Sequence, residues 1–598
     1  MRLQEWIHKF EVGEGTKWIR LSLAVLGFLA LAAVYDLRES KNFSTQEAMD
    51  AAQLARNIAR GEGYTTDFVR PFSLYLVEKH QTERGRRTND FSVIKSGHPD
   101  LANPPVYPVV LAGAMKVLPF DYFIPQGVIF RRYQPEVLIS FLNQGLFFLA
   151  VVMVFRLARR LFDASVAWVS TIIFAGAELF WRFSVSGLST MLLVIIFLGL
   201  VWCLVFMEDA HRESRRGGGW FLGMAVVSGV LIGAGALTRY AFGWLILPVL
   251  AFFAIYFGRR RAVLCVSALL AFAAVLAPWL VRNNQWSGAL FGTAGYALVQ
   301  ETAEFSGDRL ERSLKPDLSA IAFEDYLRKL VVNVGSMVQS ELPKLGGSWV
   351  SAFFLVGLMV RFVRPALGRL RVFLLLTLGV WVIVSALGRT RLSNESPDVN
   401  SENLMVVLAP LVFIYGAGMY FTLLDQLNLP FQQLRHLVTA AFLLLACAPM
   451  ILTLLPPRTH PVAFPPYYPP LIERFAGWMQ ERELVMSDMP WAVAWYGNRQ
   501  CVWTTLYVQD AKRRDDFYAI NDFQKPVQAL YLTQLTTEGK LHSQMLAADE
   551  LSWGRFILNG LVKTNLPSGF PLKHAGSGYL SNGQLFLTDR QRWKGRAE

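Results

Sequence analysis

Cysteine and charge are both scarce in this chain. Its four cysteines are Cys203, Cys265 and Cys447 inside apolar stretches and Cys501 alone in the tail. They offer no disulfide framework and no paired-cysteine metal site, and each reads as a small buried hydrophobe rather than a nucleophile. Only 17% of the residues are charged while 53% are hydrophobic, which excludes a disordered chain and an ordinary soluble domain. Clustered metal ligands are missing too. His98 and Asp100 stand close together without further ligands at useful spacing, so His98-Pro99-Asp100 reads as a turn and no metal is demanded. The first apolar run is followed by no small-residue cleavage pattern, and it is expected to stay as an anchor.

Long apolar runs are abundant. At about 1.5 Å per residue, roughly 20 residues cross a hydrocarbon core of ~30 Å. Eleven such runs are predicted to span, near 18–36, 135–158, 164–182, 187–208, 219–238, 240–258, 262–281, 347–363, 371–388, 402–424 and 434–455. The 105–118 run is too short, and is expected to be re-entrant or interfacial. With a cytoplasmic N-terminus, fourteen arginines fall in the cytoplasmic turns (among them Arg156, Arg159, Arg160, Arg259, Arg260 and Arg261). Only Arg182, Arg239, Arg389 and Arg391 fall in the short turns opposite. That is the positive-inside bias of short loops, and it accounts for much of the net charge of +13 without nucleic acid.

The expected organisation is therefore a polytopic α-helical membrane protein with external amphipathic loop helices and a C-terminal soluble α/β domain. A cytoplasmic N-terminus (1–17) precedes a transmembrane domain (18–455) with external loops at 36–134 and 282–346. A proline-rich linker (456–470) leads to an external domain (471–598). The setting expected is a bacterial inner membrane with the C-terminus outside. In the tail, Asp488 ends a predicted strand, where binding residues often lie; the plainer reading is a turn aspartate.

The first loop holds an acidic amphipathic helix, Ser44 to Tyr64. Ser44 and Glu47 have capping-box spacing, and Gly61 and Gly63 are placed to stop the helix. Glu47, Asp50, Gln53 and Asn57 form a polar stripe beside an apolar face of Ala51, Leu54, Ala55 and Ile58. Such a helix is expected to lie in the membrane interface, its acids facing a cavity or water. Carboxylates beside hydrocarbon pair, line a cavity or do chemistry.

Glu47-Ala-Met-Asp50, Leu54-Ala-Arg-Asn-Ile-Ala-Arg-Gly-Glu-Gly-Tyr64 and Asn103-Pro-Pro-Val-Tyr-Pro108 together resemble the GT-C superfamily of membrane glycosyltransferases. More narrowly they are similar to bacterial relatives of protein O-mannosyltransferases and aminoarabinose transferases. Leu237-Thr238-Arg239 and Pro278-Trp-Leu-Val-Arg-Asn283 fit the same group. The resemblance implies transfer from a polyprenyl-phosphate-linked sugar, with a first-loop carboxylate as base and a lipid, polysaccharide or protein as acceptor. The sequence departs from that family in one place: Gln46-Glu47 stands where the family usually has aspartate, often Asp-Glu. Glu47, Asp50 and Asp36 are the candidate bases.

Stabilising the leaving phosphate calls for arginine or lysine. Arg239, Arg282, Arg389 and Arg391 are candidates, with Arg70 and Lys344 as looser ones. Asn57, Tyr64, Tyr107 and Asp488 are candidates for contact with sugar or acceptor. Some members of the superfamily use a divalent cation and others do not, so that cofactor stays open. The competing class is a lipid or glycan transporter, which tends to carry mid-membrane charge and paired repeats; a third reading is an external domain that only binds glycan.

Overall fold

The computed structural model describes residues 14–593, except for stretches within 40–41, 86–96, 126–129, 214–215, 348–363, 428–429, 456–466, 510–514, 537–551, 563–565 and 577–583. Most of the expected proline-rich linker, and most of the N-terminal segment, lie outside the described residues.

Seven helices are long and apolar enough to cross a membrane: Leu21–Arg38, Gln134–Leu161, Thr190–Arg212, Gly218–Ala236, Gly258–Ser287, Pro365–Gly388 and Leu404–Gln426. The chain is a multi-pass membrane protein. Two further expected spans are bent pairs rather than straight rods, and a third, 347–363, returns among the described residues as the second limb of a bent pair whose first limb, Phe323–Lys344, lies in the expected external loop 282–346. Ala164–Ala175 with Glu178–Val185 bends by 51°, Gln432–Ala446 with Ala448–Leu454 by 61°, and Phe323–Lys344 with Trp349–Met359 by 107°. Prolines explain part of this, since Pro449 sits in the first turn of the helix that follows one break. The eleventh, Tyr240–Tyr256, is shorter and opens as a 3-10 turn over Tyr240–Leu245. Val106–Val117 is short, as its sequence predicts.

The C-terminal sheet has the order Phe68–Val69, Cys501–Trp503, Leu484–Ser487, Val527–Leu532, Leu585–Thr588, His574–Ala575. The first three pairings in that order are parallel and the last two antiparallel, so Leu585–Thr588 alone runs against the other strands. Both faces of the central strands are covered, so their residues are buried without alternation, as in parallel sheets generally. One edge strand comes from the first external loop, pairing Phe68 with Cys501 and Val69 with Val502. The sheet thus reaches beyond 471–598 and ties the tail to the loop.

This pairing puts the first loop and the tail on one side of the membrane, which requires an even number of crossings between them. With each bent pair taken as one crossing, the long helices after the first and the three pairs make nine. Tyr240–Tyr256 supplies the tenth. A 3-10 start stretches it to roughly 28 Å, close to the hydrocarbon thickness.

The helix Pro490–Gly497 is the joint between the two halves. It ends where Asn498 turns left-handed (φ 49°), leaving last-turn carbonyls without helical partners. Arg56, from the first-loop helix, donates to the Ala494 and Trp495 carbonyls at 2.8 Å each and is itself buried. A guanidinium there satisfies both orphans and suits the negative end of the helix dipole. Glu136, at the start of the second span, accepts from Trp495 Nε1 (2.9 Å), Tyr496 OH (2.6 Å) and the Phe43 amide (2.8 Å).

Candidate active site

The first-loop helix runs Gln46–Arg60. Its N-cap is Thr45, without a side-chain capping bond, so the expected Ser44 capping box does not form. Gly61 stops it, as expected: at φ 84° its amide reaches the Asn57 and Ile58 carbonyls. The helix does not turn its polar stripe to water. It is packed between Val106–Val117 and Pro490–Gly497, and it is buried except for the part-buried Glu47, Ile58 and Ala59 and the exposed Arg60. A polar stripe looks the same in sequence whether water or protein satisfies it; here protein does.

Asp50 is wholly buried. Its Oδ2 accepts from Arg70 Nη2 at 2.7 Å and Asn103 Nδ2 at 2.8 Å, and its Oδ1 from Gln53 Nε2 at 3.0 Å. Gln53 in turn bonds Thr66 Oγ1 and the Asp67 amide. Asn103 donates to Asp100 as well, at 3.1 Å. Asp100 closes the turn predicted for it by accepting the Ala102 and Asn103 amides. Burial, then the nearby Asp50 charge, raises the Asp100 pKa. Burial works against the charge on Arg70, but Asp50, Glu311 and Asp100 outweigh it and raise its pKa.

Glu47, three positions before Asp50, is only half-buried and accepts the Ser401 amide at 3.2 Å. Its charge acts on Arg239 and on Glu402 without direct contact. Arg239 donates weakly to Thr190 Oγ1 (3.3 Å) and Ser189 Oγ (3.5 Å), and its Nη1 is buried without a partner. Burial pushes its pKa down to about 10 against the pull of Glu47 and Glu402. Glu402 is held by Thr390 and by Ser393 Oγ (2.6 Å), and burial raises its pKa.

The other candidate cations are engaged. Arg389 pairs with Glu341, Lys344 with Asp398 (2.8 Å), and Arg391 with Glu311 (3.3 Å) and Glu395 (2.5 Å). Arg391 also donates to Gln46 Oε1, and Arg282 to the carbonyls of Asp100 and Tyr64. Among the described residues Arg239 and Arg282 alone of these cations have no carboxylate at ion-pair distance, and of the two it is Arg239 whose donor, Nη1, is buried and unused.

Asp36 is apart from this group, its Oδ1 accepting from Gln144 Nε2 at 2.6 Å. Asn57 donates to the Thr65 carbonyl, Tyr64 to Asn103 and Pro104 carbonyls, and Tyr107 to the Gly187 carbonyl. Asp488 accepts from the Thr533 amide and hydroxyl (2.9 Å each) and Thr536 Oγ1 (2.7 Å), the contacts of a turn aspartate. Glu311, Glu402 and Asn103 were not singled out by sequence. Asn103 carried a signal, because it opens the Asn-Pro-Pro motif; the two glutamates lie in loops without one.

Glu47 and Glu402, from separate segments of the chain, both act on the charge of Arg239. Residues 132–282 match the family described as dolichyl-phosphate-mannose-protein mannosyltransferase. The matched stretch contains Arg239 and Arg282 but not the first-loop acids, so it supports the resemblance to GT-C membrane glycosyltransferases over 132–282. No curated protein matches the sequence. Among solved structures, the chain is similar to the Archaeoglobus fulgidus oligosaccharyltransferase AglB in complex with an inhibitory peptide and a dolichol-phosphate (12% identity, 90% of this chain and 72% of that one, TM-score 0.47). It is also similar to ArnT from Cupriavidus metallidurans bound to undecaprenyl phosphate (12% identity, 96% and 98%, TM-score 0.42).

Beside the site, His98 is buried with its Nε2 3.2 Å from Ser73 Oγ. Burial, with the Arg282 charge, lowers its pKa to about 4. The unfolded chain binds a proton near pH 6.5 that the folded chain refuses until about pH 4. Stability should therefore fall as pH drops through that window, by on the order of 3 kcal/mol at its acid end. Melting temperatures of wild type and His98→Gln between pH 7 and 4 should converge on the acid side; parallel curves would refute this.

Proposed function

We propose that the protein is an integral-membrane glycosyltransferase that moves a sugar from a polyprenyl-phosphate donor to an acceptor on the external face. The observation that carries this is the half-buried Glu47 carboxylate within electrostatic reach of Arg239, whose Nη1 is buried without a partner. The family match supports it, since that family is described by a dolichyl-phosphate sugar donor.

Glu47 takes the proton of the acceptor hydroxyl as its oxygen attacks the anomeric carbon. The new C–O bond forms as the bond to the phosphate oxygen breaks, which inverts the centre and needs no glycosyl-enzyme intermediate. The polyprenyl phosphate leaves with one more negative charge, met by Arg239 in a desolvated setting where a fixed donor counts most. Glu402, held in place by Thr390 and Ser393, sits near enough to keep Arg239 charged when the site is empty. Residues 471–598 serve as an external domain that closes over the first loop.

The test uses the full chain in vesicles with a panel of radiolabelled undecaprenyl-phosphate-linked sugars and a membrane extract as acceptor. Donor should be consumed and free undecaprenyl phosphate released only when acceptor is present. Label that crosses the bilayer without product would establish the transporter class instead.

A further inference from the structure

Two buried arginines grip the residues that flank Glu47. Arg70 holds Asp50 at 2.7 Å, three positions after Glu47, and Arg391 holds the carbonyl oxygen of Gln46, one position before it. One carboxylate stands between the two guanidinium groups. Glu311 Oε1 lies 3.4 Å from Arg70 Nε, and Glu311 Oε2 lies 3.3 Å from Arg391 Nε. All three side chains are largely removed from water. Arg391 has a second partner in Glu395, which is more than half exposed and so counts for less.

Glu311 is delivered to this position by the C-terminal domain. It sits on a single helical turn, Arg309–Arg312, in the second external loop. The next residue, Arg312, donates to the Thr504 and Thr505 carbonyls at 2.8 and 2.7 Å, just past the strand Cys501–Trp503. Ser313 Oγ and the Leu314 amide donate to Asp515 at 2.7 and 2.9 Å, and Leu314 is buried in the core of that domain. The same sheet edge seats the arginines. Arg391 stacks 4.7 Å from the Trp503 ring, and Arg70 4.0 Å from the ring of Phe68 on the adjoining strand. A cation over an aromatic face in a dry setting is held by both charge and shape.

We propose that Glu311 is a positioning residue through which the C-terminal domain fixes the catalytic rim. Its two oxygens keep Arg70 on Asp50 and Arg391 on Gln46, so the turn that carries Glu47 is clamped on both sides. Without it, two guanidinium groups would share one low-dielectric site with a charge deficit, and they would separate or turn towards water. Glu311 touches neither Glu47 nor Arg239, so its effect passes only through the clamp. The kinetic part of this inference rests on the glycosyl-transfer reading; the charge bridge does not.

The experiment compares wild type, Glu311→Gln and Glu311→Ala in vesicles, with and without sodium formate. The donor is the undecaprenyl-phosphate-linked sugar that wild type consumes. Glu311→Gln should lower kcat by roughly 10- to 100-fold, the usual reach of a supporting contact on an active-site group. KM for the donor should stay within about twofold, because the phosphate ligand is elsewhere. Formate should restore much of the kcat of Glu311→Ala by refilling the gap between the arginines, and should raise its melting temperature while leaving wild type unmoved. An unchanged kcat, a loss confined to KM, or a Glu311→Ala melting temperature indifferent to formate would overturn the proposal. Should wild type consume no donor at all, the glycosyl-transfer reading fails, and the formate response of the melting temperature still decides the bridge.

Discussion

Glu47→Gln should lower turnover by a factor on the order of 10² to 10⁴, the range a positioned general base contributes. The fold should survive, because the one hydrogen bond that Glu47 makes among the described residues is to the Ser401 amide at 3.2 Å. A glutamine carbonyl can accept the same bond. KM for the donor should change little, since the carboxylate faces the acceptor hydroxyl rather than the lipid. Single-turnover measurements on vesicles at saturating donor read the chemical step directly. Turnover equal to wild type would remove Glu47 from the mechanism. The neighbouring Gln46 cannot take over: its side chain has no proton-accepting carboxylate and is occupied by Arg391.

Arg239→Ala should show a different signature. The guanidinium meets the phosphate in both the bound donor and the leaving group, so both affinity and rate should fall. Undecaprenyl phosphate alone should bind about 10- to 100-fold more weakly, the worth of a hydrogen bond to a charged group. A further loss in kcat, on the order of 10²-fold, is expected where the leaving charge develops. Arg239→Lys should recover part of the binding as a point charge while lacking the fork. Isothermal titration with undecaprenyl phosphate measures the first effect, and donor consumption the second. Wild-type affinity in Arg239→Ala would mean that the phosphate is held by another cation, with Arg282 the nearest alternative because it too lacks a carboxylate partner among the described residues.

The membrane layout was legible because hydrophobic length is a local signal. All eleven apolar runs return at least in part as helices, although two are broken and two, Tyr240–Tyr256 and Trp349–Met359, are short. The stop at Gly61 and the turn at Asp100 were legible for the same reason: two or three adjacent residues determine them. The network around the site was not. Asp50 with Arg70, Gln46 with Arg391 and Arg56 with the end of Pro490–Gly497 join segments far apart in the chain, and no periodicity encodes such pairings. The exposure to water or a cavity expected for the acids of the first-loop helix failed for Asp50 on the same ground. Its polar stripe is answered by side chains from elsewhere, which the helix's own sequence cannot reveal. The two-residue strand Phe68–Val69 is too short to leave any pattern of alternation.

That small strand has a bearing on how the protein is made. Its partner, Cys501–Trp503, lies near the opposite end of the chain. At 5–20 residues per second, the ribosome needs roughly tens of seconds to bridge the gap. Throughout that interval the loop that carries Glu47 lacks this strand partner. Trp503, which seats Arg391, and the Thr504 and Thr505 carbonyls, which hold the turn bearing Glu311, are made only with the tail. A chain released early therefore lacks the support on which the proposed clamp depends.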